Sequence, residues 1–140
     1  MIVVVIIGLL AALAIPAFQR IQRAAQNNAV VNDFRVFSQA FETYCTQNGT
    51  WPANASPGAV PAGMGTGDFK VSAWQAVTPI GGRWNWDKNI AGFAAGISIS
   101  SYTCTDAQLQ ELDAKLDDGD LTTGNFQKVQ ANRVMLILEQ

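Results

Sequence analysis

The segment Met1–Ile15, MIVVVIIGLLAALAI, carries no charge and no side chain that needs a hydrogen bond. As an α-helix it would run about 22 Å, against a hydrocarbon layer of roughly 30 Å, so it is too short to cross a bilayer by itself. The apolar pattern continues past it. Phe18, Ile21, Ala25, Ala29, Val30, Phe34, Phe37, Phe41 and Tyr44 recur at spacings of three and four, which puts one apolar stripe on a helix continuing to about Cys45. Asn48-Gly49 closes it, because glycine readily takes the left-handed conformation that ends helices. The expectation is a single helix of about 45 residues, several times the mean length. The rest of a 140-residue chain suffices for one compact domain, too small to cover such a helix along its whole length. Residues 1–24 must then be sheathed by lipid or by other copies of the chain, while residues 25–48 form the amphipathic half that lies on the domain.

Composition narrows the function. Charged residues make up 14% of the chain, the formal net charge is −2 and histidine is absent. No basic stripe is available for a phosphate backbone, so nucleic acid is not an expected partner. Without histidine the chain lacks the commonest general base, the Ser-His and Cys-His nucleophile pairs and most zinc sites. No residue stands out as catalytic, and an enzyme is not expected.

The N-terminal stretch also admits a secretory signal peptide, since Ala12-Leu13-Ala14 fits a small-x-small cleavage site. That reading would make the chain a secreted soluble binding module. The positively charged leading region is missing, however, and Pro16 follows the site too closely. MIVVVIIGLLAALAIPAF is similar instead to the hydrophobic part of the type IV pilin N-terminal motif, with Gly8 and Pro16 at the family's spacing. The resemblance implies a pilin-like α+β fold and a structural role. The whole stretch Met1, Ile2, Val3, Val4, Val5, Ile6, Ile7, Gly8, Leu9, Leu10, Ala11, Ala12, Leu13, Ala14, Ile15 and Pro16 would act as the assembly stalk. Subunits would wait in the inner membrane, be extracted by a pilus or secretion assembly machine, and form a homo-oligomeric helical filament. In the family a leader is cut ahead of a mature stretch of the form FTLIEL, whose first residue is N-methylated and whose glutamate pairs with a neighbouring subunit. That stretch would fall just upstream of Met1, which is expected to be an internal start, and no residue here takes the glutamate's role. Pro16 removes a backbone donor and crowds the Ala12 carbonyl, so Gly8–Pro16 is the weakest part of the helix, and pilin-like filaments unwind this stretch on assembly. A type II secretion pseudopilin, from the same family, is the nearest alternative.

Residues 49–68, rich in glycine and proline, read as a connecting loop, with Trp51-Pro52 folding back over the helix end. In residues 69–140, strand-like runs at Phe69–Val77, Arg83–Asp87, Phe93–Ser100 and Gln127–Leu138 predict a four-stranded antiparallel sheet. Trp84 and Trp86 share one strand face and should pack on the long helix. Thr105-Asp106-Ala107-Gln108 has capping-box spacing, predicting a short helix near 106–116. The continuous Val134–Leu138 run should be a central strand buried on both faces.

Cys45 and Cys104 are the only cysteines, an even count in a chain addressed to the oxidising envelope, and a disulfide between them is expected. It would stabilise the fold by about 4 kcal/mol. Two free thiols are the alternative. Finally, Asp113, Asp117, Asp118 and Asp120 crowd the C-terminal end of the predicted short helix, where the dipole disfavours anions. A Ca²⁺ would compensate, and major pseudopilins carry a calcium loop near the C-terminus, but the spacing fails the EF-hand pattern. The expectation is a metal-free Asp-Gly turn, with no cofactor and with Lys115 or Lys128 as local counter-charge.

Overall fold

A computed structural model describes all of residues 1–140. It is an α+β fold dominated by one helix, α1, Ile2–Asn48. At 47 residues it is about 70 Å long. Gly49 ends it in the left-handed conformation, φ 71°, with its N–H on the Cys45 carbonyl. Pro16 lies inside α1 and does not interrupt it. A short helix α2, Val71–Gln75, precedes the sheet, and α3, Asp106–Leu116, lies between its two hairpins. The strands are β1 (Arg83–Ile90), β2 (Phe93–Ser100), β3 (Phe126–Gln130) and β4 (Arg133–Glu139), ordered β1-β2-β4-β3 and all antiparallel.

The sheet has four strands as predicted, but one predicted strand is absent and another divides into two. Phe69–Val77 is not a strand. Its apolar residues Phe69, just before α2, and Trp74, within it, reach the core, with Trp74 Nε1 donating to the Ala59 carbonyl at 2.8 Å, and only Val77 makes an isolated bridge to Arg83. Gln127–Leu138 is not one strand but a hairpin, because the chain reverses between Gln130 and Arg133. β4 is central and buries Val134 on one face and Met135 on the other, as a continuous apolar run should. The predicted short helix is α3, and Thr105 caps it by accepting from the Gln108 N–H at 3.3 Å.

Aromatic rings join α1 to the sheet. Phe34 meets Trp84 edge-on at 4.8 Å, Phe37 meets it at 5.0 Å, and Phe41 stacks on Trp86 at 4.1 Å. Phe126 from β3 and Trp74 from α2 close the cluster against Phe34 and Phe37. Trp84 and Trp86 face the helix because they are two residues apart on β1. Trp51 folds back against Trp86, and Trp86 Nε1 donates to the Pro52 carbonyl at 3.0 Å.

The expected disulfide is not formed: Cys45 and Cys104 are free, half-buried thiols. They lie at opposite ends of the packed half of α1. Cys104 is next to α3, whose Gln108 side chain reaches Gln26 and Asn27, whereas Cys45 is about 27 Å farther along the helix than Asn27, at the Trp51–Trp86 end. An even cysteine count sets no distance, and this one is too long to bridge.

Two outcomes follow for a Gln26–Gln140 fragment. Phe34→Ala should cost about 3–5 kcal/mol in denaturant unfolding, because it empties the centre of the aromatic cluster. A thiol reagent should titrate two thiols in the folded protein, and reductant should leave the melting temperature unchanged.

Candidate functional site

Residues 1–26 lead away from the domain with every side chain exposed. Burial begins at Asn27 and follows Val30, Val31, Phe34, Phe37, Ala40 and Phe41. The predicted stripe also included Phe18, Ile21, Ala25 and Ala29. The structure leaves those four uncovered, so the open apolar surface extends past Ile15 to Ile21. A Cβ at Gly8 would meet nothing within 4 Å, so Gly8 has no partner within the subunit. The helix is long and apolar enough to cross a membrane, and Arg20 is the first charged side chain after the N-terminus.

A polar clamp fixes the point where this stalk leaves the domain. Asn27, nearly fully buried, donates to Glu111 at 3.2 Å and accepts from Gln108 at 3.1 Å. Arg23 reaches Glu111 at 3.5 Å and Lys115 donates to Asn28 at 2.7 Å. The stripe pattern missed this clamp because Asn27 is polar, although its spacing to Val30 and Val31 places it on the buried face.

The four aspartates occupy the other end of α3 and do not form one set. Asp113, Asp117 and Asp118 bring carboxylate oxygens within 4.8 Å of one another. Asp120 is engaged in its own turn, where its Oδ1 accepts from the Thr122 N–H at 3.0 Å and the Thr122 hydroxyl at 2.7 Å, which holds its pKa down. Asp117 accepts from the Asn125 N–H, and Asp118 accepts from the Asp120 N–H at 2.9 Å and the Thr123 hydroxyl at 2.7 Å. Asp113 is different. It is 0% exposed and neither of its oxygens accepts a hydrogen bond. Burial first, then the charges of Asp118 and Asp117, push its pKa up to about 6. The Gly119 N–H offsets part of this but lies outside hydrogen-bonding geometry. Its position follows from spacing: Asp113 comes four residues after Leu109 and one after Leu112, on the apolar face of α3.

The expected counter-charges are committed elsewhere. Lys115 is on Asn28, and Lys128 pairs with Asp106 at 2.8 Å. A second acidic group, Asp87, is satisfied: it lies on the sheet face away from α1 and accepts from Asn85 at 2.8 Å, from Ser98 and from Arg133 at 3.0 Å.

No protein-family model matches the sequence, and no curated protein matches it either. Among solved structures, the major type IV pilin PilA1 from Clostridium difficile superposes with a TM-score of 0.55 at 16% identity, over 86% of this chain and 98% of that one. The chain therefore has the fold of a type IV pilin, with the same long helix laid on an antiparallel sheet.

The buried carboxyl has a measurable cost. A pKa raised from 3.8 to about 6 means that the folded state holds the proton more tightly than the unfolded chain. The cost is absent below the lower value, grows as pH rises between the two, and is complete above the higher one. In chelator at pH 7.5, Asp113→Asn should raise the melting temperature by roughly 5 °C, with the advantage vanishing towards pH 4. Differential scanning calorimetry of both proteins across that range checks the sign.

Proposed function

We propose that this protein is the structural subunit of a type IV pilus-like filament, assembled by burying the apolar half of α1 against its copies, and not an enzyme. The observation that carries the reading is the uncovered helix. From Ile2 to Ile21 most of its large apolar side chains are at least half exposed, in a protein whose sheet already shares a complete aromatic core with the other half of the same helix. Water is no stable environment for such a surface. Before assembly, inner-membrane lipid covers it, and the assembly machinery then draws the subunit out. In the filament, lying outside that membrane, neighbouring stalks cover it. The fold shared with a type IV pilin supports the same role.

Burial of that surface, at about 25 cal/mol per Å², supplies the main favourable term for assembly. A charge within it should be ruinous. Leu10→Asp would place an unpaired carboxylate in lipid or in the filament core, at a cost of at least a few kcal/mol. The sheet domain, whose burial begins at Asn27, should fold as before. The full-length gene, expressed with its upstream leader, should give filaments by electron microscopy, and the Leu10→Asp variant none, while the Gln26–Gln140 fragment melts cooperatively. Normal filaments from the variant would overturn the reading. So would mature protein from cells beginning at Ile15, which is the product expected of a cleaved signal peptide.

A further inference from the structure

The domain carries two uncompensated patches of opposite charge, and they border opposite edges of its sheet. The first is acidic. Asp113, Asp117 and Asp118 converge within 4.8 Å at the C-terminal end of α3, where the helix presents its negative pole. The chain then leads from this turn into the edge strand β3. No lysine or arginine of the subunit is paired with any of the three. Crowding of exposed acids alone would mean little, but Asp113 is fully buried beside the other two, with neither oxygen partnered. Charge held in this way calls for a cation that the subunit itself does not supply.

The second patch is basic and borders the other edge strand, β1. Arg83, Ser100 and Arg133 stand opposite one another across β1, β2 and β4, which puts them in one row on the face turned away from α1. Arg133 is held by Asp87 at 3.0 Å. Arg83 has no acid partner, and its only hydrogen bond is from one nitrogen to the Gln75 carbonyl at 3.0 Å. It lines a pocket of ≈ 300 Å³ with Pro57, Val77, Gly82, Ser100 and Ser101. The Ser100 hydroxyl is unpartnered, and Val77 is 64% exposed. Outside the stalk, Val77 and Val36 are the large apolar side chains left uncovered, so this pocket is unfinished in both charge and apolar contact.

We propose that the acidic turn of one subunit docks on the Arg83 pocket of the next, with Asp117 and Asp118 meeting the guanidinium. The inference rests on the filament reading given above. The planar fork of arginine matches a carboxylate, and both acids are exposed. The Asn125 N–H and the Thr123 hydroxyl hold them in place. Each copy would offer acids beside β3 and a receptor beside β1. Such a contact joins two different surfaces of identical chains, so it repeats head to tail as a helical filament requires. Apolar burial of the stalks drives assembly, and the charged contact sets the register between neighbouring domains.

The test compares filaments recovered by shearing cells that express the full-length gene with its upstream leader. Arg83→Glu and Asp118→Arg should each lower the yield about tenfold, because each sets like charges against one another. The double variant restores an opposite-charge pair at every contact and should return to within about twofold of the parent. A damaged fold would not be repaired by combining the two changes. As full chains in detergent micelles, both single variants should melt as the parent does or higher. A parent-like yield from either single variant would overturn the proposal, and so would a double variant no better than the singles. Either result leaves the filament reading standing, whereas a parent that makes no filaments would remove both.

Discussion

The contact between Phe34, Phe37 and Phe41 of α1 and Trp84 and Trp86 of β1 decides where everything else lies. These residues, with Trp74 and Phe126, are all buried in one cluster. Spaced by three and four on the helix, the phenylalanines form a single ridge, while the two tryptophans, spaced by two on the strand, form a matching row. The ridge and the row fix both the rotation of α1 and which face of β1 turns inward. Once β1 is placed, its ladder to β2 from Arg83↔Ser100 to Ile90↔Phe93 follows, and β4 then adds to the free edge of β2. The tight reversal between β1 and β2 carries Ala91 and Gly92 at φ 57° and 89°, the doubly positive turn that suits the twist of a two-stranded ribbon.

That same contact sets the length of the stalk. The aromatic ridge begins at Phe34, and the domain reaches back only as far as Asn27, where α3 ends the packed surface with the Gln108 and Glu111 contacts. Before it only Gln26 and Arg23 touch α3, through Gln108 and Glu111, and the helix ahead of Arg23 has no intramolecular partner. The exposed half of α1 is therefore a geometric remainder, a helix about 70 Å long laid on a sheet whose strands are at most 8 residues long. A strand of that length spans about 27 Å. The difference is too large for any rearrangement of this small domain to cover.

The parts of the fold that were legible in the sequence are those governed by local rules. α1 and its Gly49 stop, the Thr105 cap of α3, the inward pair Trp84 and Trp86, and the doubly buried Val134–Met135 run each depend on spacing within one element. The parts that were not legible depend on what lies across space. Phe69–Val77 carries a strand-like composition, yet Phe69 reaches the core from the bend before α2 and Trp74 from α2 itself, since tertiary packing outweighs weak β propensity. The reversal at Ala131-Asn132 is hidden because it lacks glycine and proline, so the polar Gln127–Gln130 and apolar Val134–Leu138 halves read as one strand. The cysteine pairing failed for the same reason: parity says nothing about which end of a long helix each thiol occupies. The aspartate cluster was visible as composition, but the isolation of Asp113 required knowing that Lys115 and Lys128 point to other partners.

α3 links the two features of the molecule that its aromatic core does not explain. One face of this helix carries Gln108, Glu111 and Lys115 to the base of the stalk, while Leu109, Leu112 and Asp113 turn inward. Its last turn delivers Asp113 to the acidic loop, and that loop leads directly into β3. A rotation of α3 that relieved the buried carboxylate would also withdraw Leu109 and Leu112 from the core and slide the clamp residues off Asn27. The unfavourable charge is thus held by contacts on both sides, and the helix cannot relax it locally. Strain maintained in this way by surrounding packing concentrates at sites with a role beyond folding. In this chain it sits at the far end of the same helix that sets where the stalk departs.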